Sequence, residues 1–332
     1  MFVRNSALSL GSLEEYPESH IFMNNPIWTQ PFVQIVGGQF ALICPHLVYS
    51  FPLKILSNIF NYNEKIKGYY HEARTAYLES KIANTISSAM PSARVFRNVT
   101  WYDQNNDKHR ENDVVCFIGN TIFVFEAKSA EISESAKRGS TERLRRVYKN
   151  ILVEAAQQAS HLKRYIKEMG NKSALYCGDK KIEVELHRPK IIRHFAVSID
   201  NIPGVVNTKM FRREILSGYS SAENVPFLTV GDLGMIYKYI DSEVSCFHYL
   251  CSRHEFQSHF DYEGDEQDLI SLYKRNRLIF KMEDLPEGTV VFSGVDEEAR
   301  GPYDPGDRKR LKILKAPATD HSIGAFLGPP DG

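Results

Sequence analysis

The stretch from Asp113 to Lys128, DVVCFIGNTIFVFEAK, decides the fold of this chain. Val, Ile and Phe are typical of strands, and they lie on both sides of Gly119-Asn120, a pair typical of two-residue hairpin turns. The pattern predicts a β-hairpin of strands Asp113–Ile118 and Thr121–Lys128. If Ile118 faces Thr121 across the turn, then counting outward places Asp113 opposite Glu126.

Both faces of this hairpin are apolar. Because alternate residues of a strand share a face, Lys128 lies on the same face as Asp113 and Glu126. The first face also carries Val115, Phe117, Ile122 and Val124, and the second carries Val114, Cys116, Ile118, Phe123, Phe125 and Ala127. Strands buried on both faces belong in the middle of a sheet covered by helices, where desolvation of ionisable groups is costly.

The surrounding sequence predicts helices on either side of this sheet. Residues 64–89 have a helical pattern that ends at Met90-Pro91, and a strand from Arg94 to Tyr102 follows. The polar segment DQNNDKHREN, residues 103–112, reads as a loop before the hairpin. A long helix is expected from Thr141 to Met169, and another buried strand covers residues 190–200. The predicted order is helix, three strands, helix and strand, which makes an α/β fold.

Two carboxylates that face each other at sheet distance repel. Protonation of one carboxylate relieves this repulsion, and so does a divalent cation between them, which we favour. Glu79 supplies a third acid, because Ile82, Ala83 and Ile86 place it on the side of its helix that packs on the sheet. The alternative is that these acids form only a structural ion-pair cluster.

These residues resemble the PD-(D/E)xK nuclease superfamily. Asp113 matches the lone acid, and Glu126-Ala127-Lys128 matches the ExK motif. The resemblance is closest to the branch related to the bacterial nuclease-related domain, through YLESKI, RNVTWY and ENDVV…FVFEAKS, and it covers roughly residues 64–200. It implies a restriction-endonuclease-like core with a mixed sheet flanked by helices.

The resemblance also implies a reaction. Glu79, Asp113, Glu126 and the carbonyl of Ala127 would hold Mg²⁺ or Mn²⁺, and Lys128 would assist attack of a water molecule on a phosphodiester. Related nucleases carry a Gln on the following helix, which selects Gln158 here, although the tyrosine expected four residues later is absent. DNA is the favoured substrate. The alternatives are an RNA-directed nuclease and a catalytically silent nucleic-acid-binding or scaffold module with the same fold.

Positive charge gathers after the hairpin. Residues 128–167 contain ten basic and four acidic residues, although the whole chain has 41 of each. Basic side chains can grip phosphates, and the alternative is an ordinary solvated helix face. The predicted phosphate-binding residues are Lys137, Arg138, Arg143, Arg145, Arg146 and Lys149.

Length and composition set the remaining expectations. The 332 residues divide into an N-terminal hairpin and helix extension (1–62), the nuclease-like domain (63–202), a helical appendage (203–284) and a flexible tail (285–332). Five scattered cysteines argue against a disulfide framework and favour the cytoplasm. Pro45, Pro52 and Lys54 interrupt the longest apolar stretch, so no membrane span is expected. The sequence leaves open whether the protein binds a protein partner or a second copy of itself.

Overall fold

The computed structural model of the protein describes most of the chain up to residue 279 and two short pieces beyond it. The described residues are 2–14, 16, 25–61, 63–104, 106–129, 141–183, 191–199, 207, 212, 224–260, 262–279, 290–291 and 314–315. They divide into two compact units. One contains the described residues of Met1–Ala76 and Ile132–Leu144, and the other those of Tyr77–Glu131 and Arg145–Gly332.

The first unit contains a small sheet and several helices. Its elements are α1 (Phe2–Asn5), β1 (Ala7–Ser9), β2 (Phe32–Gln34), β3 (Phe40–Leu42), α2 (His46–Ser50), α3 (Pro52–Phe60) and the start of α4 (Glu64–Ala89). The hairpin predicted within residues 1–62 is present, since β2 and β3 pair antiparallel on either side of Gly37-Gly38. Both glycines have positive φ (78° and 75°), which glycine adopts without steric cost. Parallel pairing of β1 with β2 was not predicted.

The second unit is built on a seven-stranded mixed sheet. Its strands are β4 (Arg94–Asp103), β5 (Lys108–Ile118), β6 (Thr121–Lys128), β7 (Tyr176–Cys177), β8 (Lys180–Lys181), β9 (Ile191–Ser198) and β10 (Phe227–Thr229). The strand order is β10-β9-β6-β5-β4-β7-β8. The neighbours of β6 are β5, which is antiparallel, and β9, which is parallel. The predicted hairpin is therefore central in the sheet.

Helices cover both faces of this sheet, as predicted. They are the rest of α4, α6 (Glu154–Met169), α7 (Val230–Tyr239), α8 (Glu243–His259) and α9 (Glu266–Asn276), and the short helix α5 (Thr141–Tyr148) precedes α6 along the chain. The predicted helix from Thr141 to Met169 contains a π-helical turn, Lys149–Val153, between α5 and α6. Thr229 caps α7 in a capping box with Asp232. No helix in the described ranges has the length and apolar composition needed to cross a bilayer.

The predicted division of the hairpin into two faces is confirmed. Val115, Phe117, Ile122 and Val124 pack in one core with Ala159, Leu162 and Ile166 of α6. Val114, Cys116, Phe123, Phe125 and Ala127 pack in the other core with α4 and the three C-terminal helices. Both sets are buried, so burial of apolar surface holds the hairpin from two sides.

The prediction of a polar loop at residues 103–112 is wrong in extent. Strand β5 begins at Lys108, and β4 pairs with it as far as Asp103, which faces Lys108. The connection is therefore only residues 104–107. Polar residues can extend an antiparallel pair that runs past the hydrophobic core, because the backbone ladder does not require apolar side chains. This long β4–β5 hairpin was not predicted from residue type.

The alternation of faces along β4 shifts at Asn98. Val95 packs against the core of α4, whereas Phe96, Val99 and Trp101 belong with the core of α6. Phe96 and Val99 are three positions apart, so a regular strand would place them on opposite faces. Asn98 has a left-handed φ of 52°, and the pairing of β4 with β5 skips it and Asp113. The interruption of the ladder therefore coincides with the predicted acid.

The remaining elements lie towards the C terminus. Strands β11 (Tyr262–Glu263), β12 (Val290–Val291) and β13 (Leu314–Lys315) form a small sheet. The fully buried Arg253 pairs with Glu266 at 3.0 Å and donates to the hydroxyl of Tyr262. The rest of the predicted flexible tail lies outside the described residues.

Replacement of Asn98 tests the shift in alternation. Asn98→Val should lower the free energy of unfolding by about 1–3 kcal/mol, because a β-branched residue is strained at positive φ. Asn98→Gly should stay within about 1 kcal/mol of the parent protein, since glycine adopts this conformation freely. Chemical denaturation measures both variants, and equal destabilisation by the two would contradict the left-handed conformation.

Candidate active site

The open end of the β5–β6 hairpin brings Asp113 and Glu126 together. Regular pairing ends at Val114 and Phe125, and the same register extended by one residue places Asp113 opposite Glu126, as predicted. The carboxylate of Asp113 accepts the backbone N–H of Ala127 at 2.6 Å. Glu126 is fully buried, and its Oε2 has no hydrogen-bond partner among the described residues. The structure therefore contains a buried carboxylate oxygen whose desolvation is uncompensated.

Burial and mutual repulsion act on the ionisation of this pair. Burial raises the pKa of Glu126 well above its ordinary value, and the negative charge of Asp113 raises it further. The pKa of Asp113 is also raised, mainly by burial, although the Lys128 ammonium and the Ala127 N–H act in the opposite direction. The environment thus favours either a proton or a cation at the two carboxylates.

Asn112 holds Glu126 in place. Its side-chain N–H donates to Glu126 Oε1 at 2.7 Å, and its Oδ1 accepts the indole N–H of Trp101 at 3.0 Å. Trp101 in turn stacks on Tyr165 of α6, with ring centroids 4.5 Å apart. Asn112 was missed in the sequence because it was assigned to a loop. Its place beside Asp113 was the only available signal.

Glu79 reaches the site from α4. It is buried beside Leu78, Ile82, Ala83 and Ile86, so its predicted position on the core side of the helix is confirmed. Its carboxylate pairs with Arg97 of β4 at 3.3 Å, and its charge raises the pKa of Asp113. Arg97 is a partner that sequence reasoning did not identify, because the shift at Asn98 obscures which face it occupies.

Lys128 meets two residues of α6. Its ammonium donates to Gln158 Oε1 at 2.9 Å and lies 3.5 Å from Glu154 Oε2. The structure thus places Gln158, which the resemblance selected on this helix, in contact with the lysine. Glu154 was not selected, although it precedes Gln158 by one helical turn and therefore shares its side of the helix. The π-helical turn Lys149–Val153 ends directly before Glu154, and such turns occur often at functional sites.

The predicted basic segment is only partly described. Arg145 and Arg146 are exposed on α5, and Lys149 is exposed at the start of the π-helical turn. Arg143 lies on α5, but its side chain is outside the described part of the structure, as are Lys137 and Arg138 altogether. None of the described contacts joins these side chains to the two carboxylates.

The described residues contain no ready-made group of three His, Cys, Asp or Glu side chains that could hold a metal ion. The donors do fit a hard cation that retains water ligands, since Mg²⁺ often binds through only one or two carboxylates. The uncompensated Oε2 of Glu126 and the adjacent Asp113 supply such donors. Among the described residues, four acids (Glu79, Asp113, Glu126 and Glu154) face two bases, Arg97 and Lys128, which leaves two negative charges when all four acids are ionised.

Comparison with known families agrees with this geometry. The family model described as the nuclease-related domain matches residues 67–185, a segment that contains Glu79, Asp113, Glu126, Lys128 and Gln158. No curated protein and no solved structure matches the chain significantly. Residues 67–185 therefore belong to a nuclease-related domain, of the PD-(D/E)xK-like branch of nucleases.

Proposed function

We propose that this nuclease-related domain hydrolyses phosphodiester bonds in nucleic acid, with DNA as its substrate, in a reaction that depends on Mg²⁺ or Mn²⁺. The observation that carries the proposal is the fully buried Glu126, whose Oε2 is unpartnered beside a second carboxylate and a lysine. A purely structural ion-pair cluster would balance its charge. When all four acids are ionised, the excess of two negative charges among the described residues of this cluster equals the charge of one divalent cation.

Each residue has a physical role in this proposal. Asp113, Glu126 and the carbonyl of Ala127 would hold the cation, with Glu79 beside them. A bound divalent cation lowers the pKa of a water molecule and offsets charge that develops on the phosphate. Asn112 keeps Glu126 Oε1 in a fixed orientation, since both the N–H and the oxygen of its side-chain amide are hydrogen-bonded. Such outer contacts limit the geometries that the carboxylate can adopt.

Lys128 would contact the substrate directly. A lysine ammonium has three N–H donors, of which Gln158 accepts one at 2.9 Å. Glu154 lies 3.5 Å away and interacts mainly through charge. At least one donor is then available for a phosphate oxygen or for the attacking water. Gln158 and Glu154 act as positioning residues because they hold the ammonium at the open end of the hairpin.

A cleavage assay tests the proposal. Purified protein is incubated with supercoiled plasmid, linear duplex DNA, single-stranded DNA and RNA, in Mg²⁺, Mn²⁺ or EDTA. Glu126→Gln and Lys128→Met should each lower the cleavage rate at least about 100-fold, because each removes a charge next to the reacting phosphate. Glu111→Gln, which changes an exposed acid of the same strand, is the matched control and should cleave like the parent.

The outcomes separate the alternatives. Cleavage that survives in both variants, or in EDTA, would contradict the proposal. Nucleic-acid binding without cleavage by the parent protein would favour the silent binding module, and cleavage of RNA alone would favour an RNA-directed nuclease.

Two adjacent glutamines provide an internal test of the lysine's position. Gln158→Ala should lower kcat by about 10- to 100-fold, the usual effect of losing an outer contact that orients a functional group. Gln157→Ala should leave kcat unchanged, because Gln157 is exposed and, of the two glutamines, Gln158 is the one that contacts Lys128. Steady-state kinetics on the preferred substrate measures both. Equal losses in the two variants would remove Gln158 from the site.

A further inference from the structure

A second charged cluster lies at the far end of the β4–β5 hairpin, in the same unit as the carboxylates. Asp103 is 4% exposed and accepts hydrogen bonds from Asn106 and Arg110, both at 2.8 Å. Arg164 of α6 lies 3.6 Å from the same oxygen. The bond from Asn106, followed by the bond and charge of Arg110, lowers the pKa of Asp103 to about 2, although burial opposes this change. Asp103 therefore stays ionised and holds two guanidinium groups in place.

This cluster carries more positive than negative charge. Lys108 faces Asp103 across the ladder and is exposed, so three cations lie at this end of the hairpin with two acids, Asp103 and Asp107, of which Asp107 accepts a hydrogen bond from the Tyr102 hydroxyl. The neighbouring His161 responds to the same excess. Burial lowers its pKa, and Arg110, Arg164 and Lys108 lower it further, although Asp103 opposes them. Positive potential therefore remains after the internal pairing is complete.

The cations lie beside the proposed active site along two separate elements. Arg110 is two strand positions before Asn112, which holds Glu126, so the separation is about 7 Å. Arg164 is six helix positions after Gln158, which corresponds to about 9 Å along α6. One nucleotide of a duplex strand rises about 3.4 Å. Along these elements, Arg110 and Arg164 are thus about two to three nucleotide rises from Asn112 and Gln158, the residues that contact Glu126 and Lys128.

We infer that Lys108, Arg110 and Arg164 form a binding site for the phosphodiester backbone of nucleic acid, two to three nucleotides from the bond that is cleaved. This inference rests on the proposed function for the identity of the ligand. Guanidinium groups that are held in place suit phosphate oxygens, because their planar N–H donors match phosphate geometry. Asp103 supplies that preorganisation.

The shape of the surface favours a polymer over a small anion. Arg164 also lines an open depression on α6 together with Ser160, Lys163, Lys167 and Glu168. Small-molecule sites are concave and bury most of their ligand, whereas this surface is open and continues the row of cations along the helix. A nucleic-acid strand that extends from the active site along α6 would contact this surface with its phosphates. None of its three residues is among the six phosphate-binding residues predicted between Lys137 and Lys149.

Salt-dependent binding tests this site. Binding of the full-length protein to a fluorescein-labelled 20-base-pair DNA duplex is followed by fluorescence anisotropy in EDTA, between 50 and 200 mM salt. Arg164→Gln and Lys108→Gln should each reduce the slope of log affinity against log salt by about 1, because each removes one phosphate contact. Lys238→Gln, which changes an exposed lysine of α7, is the matched control and should leave the slope unchanged.

The result is interpretable whether or not the protein cleaves DNA. Reduced slopes in both variants, with unaltered thermal unfolding, support the site even if the parent cleaves nothing, in which case only the hydrolysis proposal fails. Slopes equal to that of the parent overturn the site even if cleavage is robust. Failure of the parent to bind duplex DNA, and likewise single-stranded DNA and RNA of the same sequence, overturns both proposals.

Discussion

The close approach of two carboxylates, those of Asp113 and Glu126, determines the charge and the chemistry of the whole site. Asp113 and Glu126 meet because the pairing of β5 with β6 ends at Val114 and Phe125, and because the pairing of β5 with β4 skips Asp113. The free N–H of Ala127 then donates to Asp113 instead of continuing the ladder. Glu126 is fully buried and Asp113 is partly buried, so water solvates this pair of carboxylates poorly. Two neighbouring like charges in a poorly solvated site require compensation.

The neighbouring residues supply part of that compensation. Arg97 pairs with Glu79, Lys128 lies near Glu154, and Asn112 gives a hydrogen bond to Glu126. Among the described residues, the buried Oε2 of Glu126 still has no partner, and two negative charges are unbalanced when every acid is ionised. A divalent cation satisfies both, and it also supplies the chemistry that hydrolysis of a phosphodiester requires. In the proposed function, the same cation would therefore stabilise the site and take part in the reaction. The basic residues at Asp103 would complement this site, since they would attract the polyanion that the acids alone would repel.

Much of this arrangement is predictable from sequence, and the failures have physical causes. Gly119-Asn120 and the apolar residues around them predict the register and both faces of the hairpin, because the core selects one register. The position of Glu79 follows from helical periodicity. The extension of β5 to Lys108 is not predictable from polar residues, since backbone pairing rather than side-chain burial holds it. The left-handed Asn98 shifts the alternation on β4, so Arg97 and Asn112 could not be assigned to the site. Glu154 contacts Lys128 and Arg164 contacts Asp103. Both contacts join segments that are distant in the sequence, and local sequence patterns do not predict such contacts.

Direct binding of Mn²⁺ is the measurement closest to the central claim. Protein stripped with EDTA and dialysed free of chelator is titrated with Mn²⁺, and free Mn²⁺ is followed by electron paramagnetic resonance. The account predicts saturable binding by the parent and by Glu111→Gln, and an affinity lower by about 10-fold or more in Glu126→Gln and Asp113→Asn. Equal affinity in the parent and in Glu126→Gln, or no binding by the parent, would contradict a cation held between these two carboxylates.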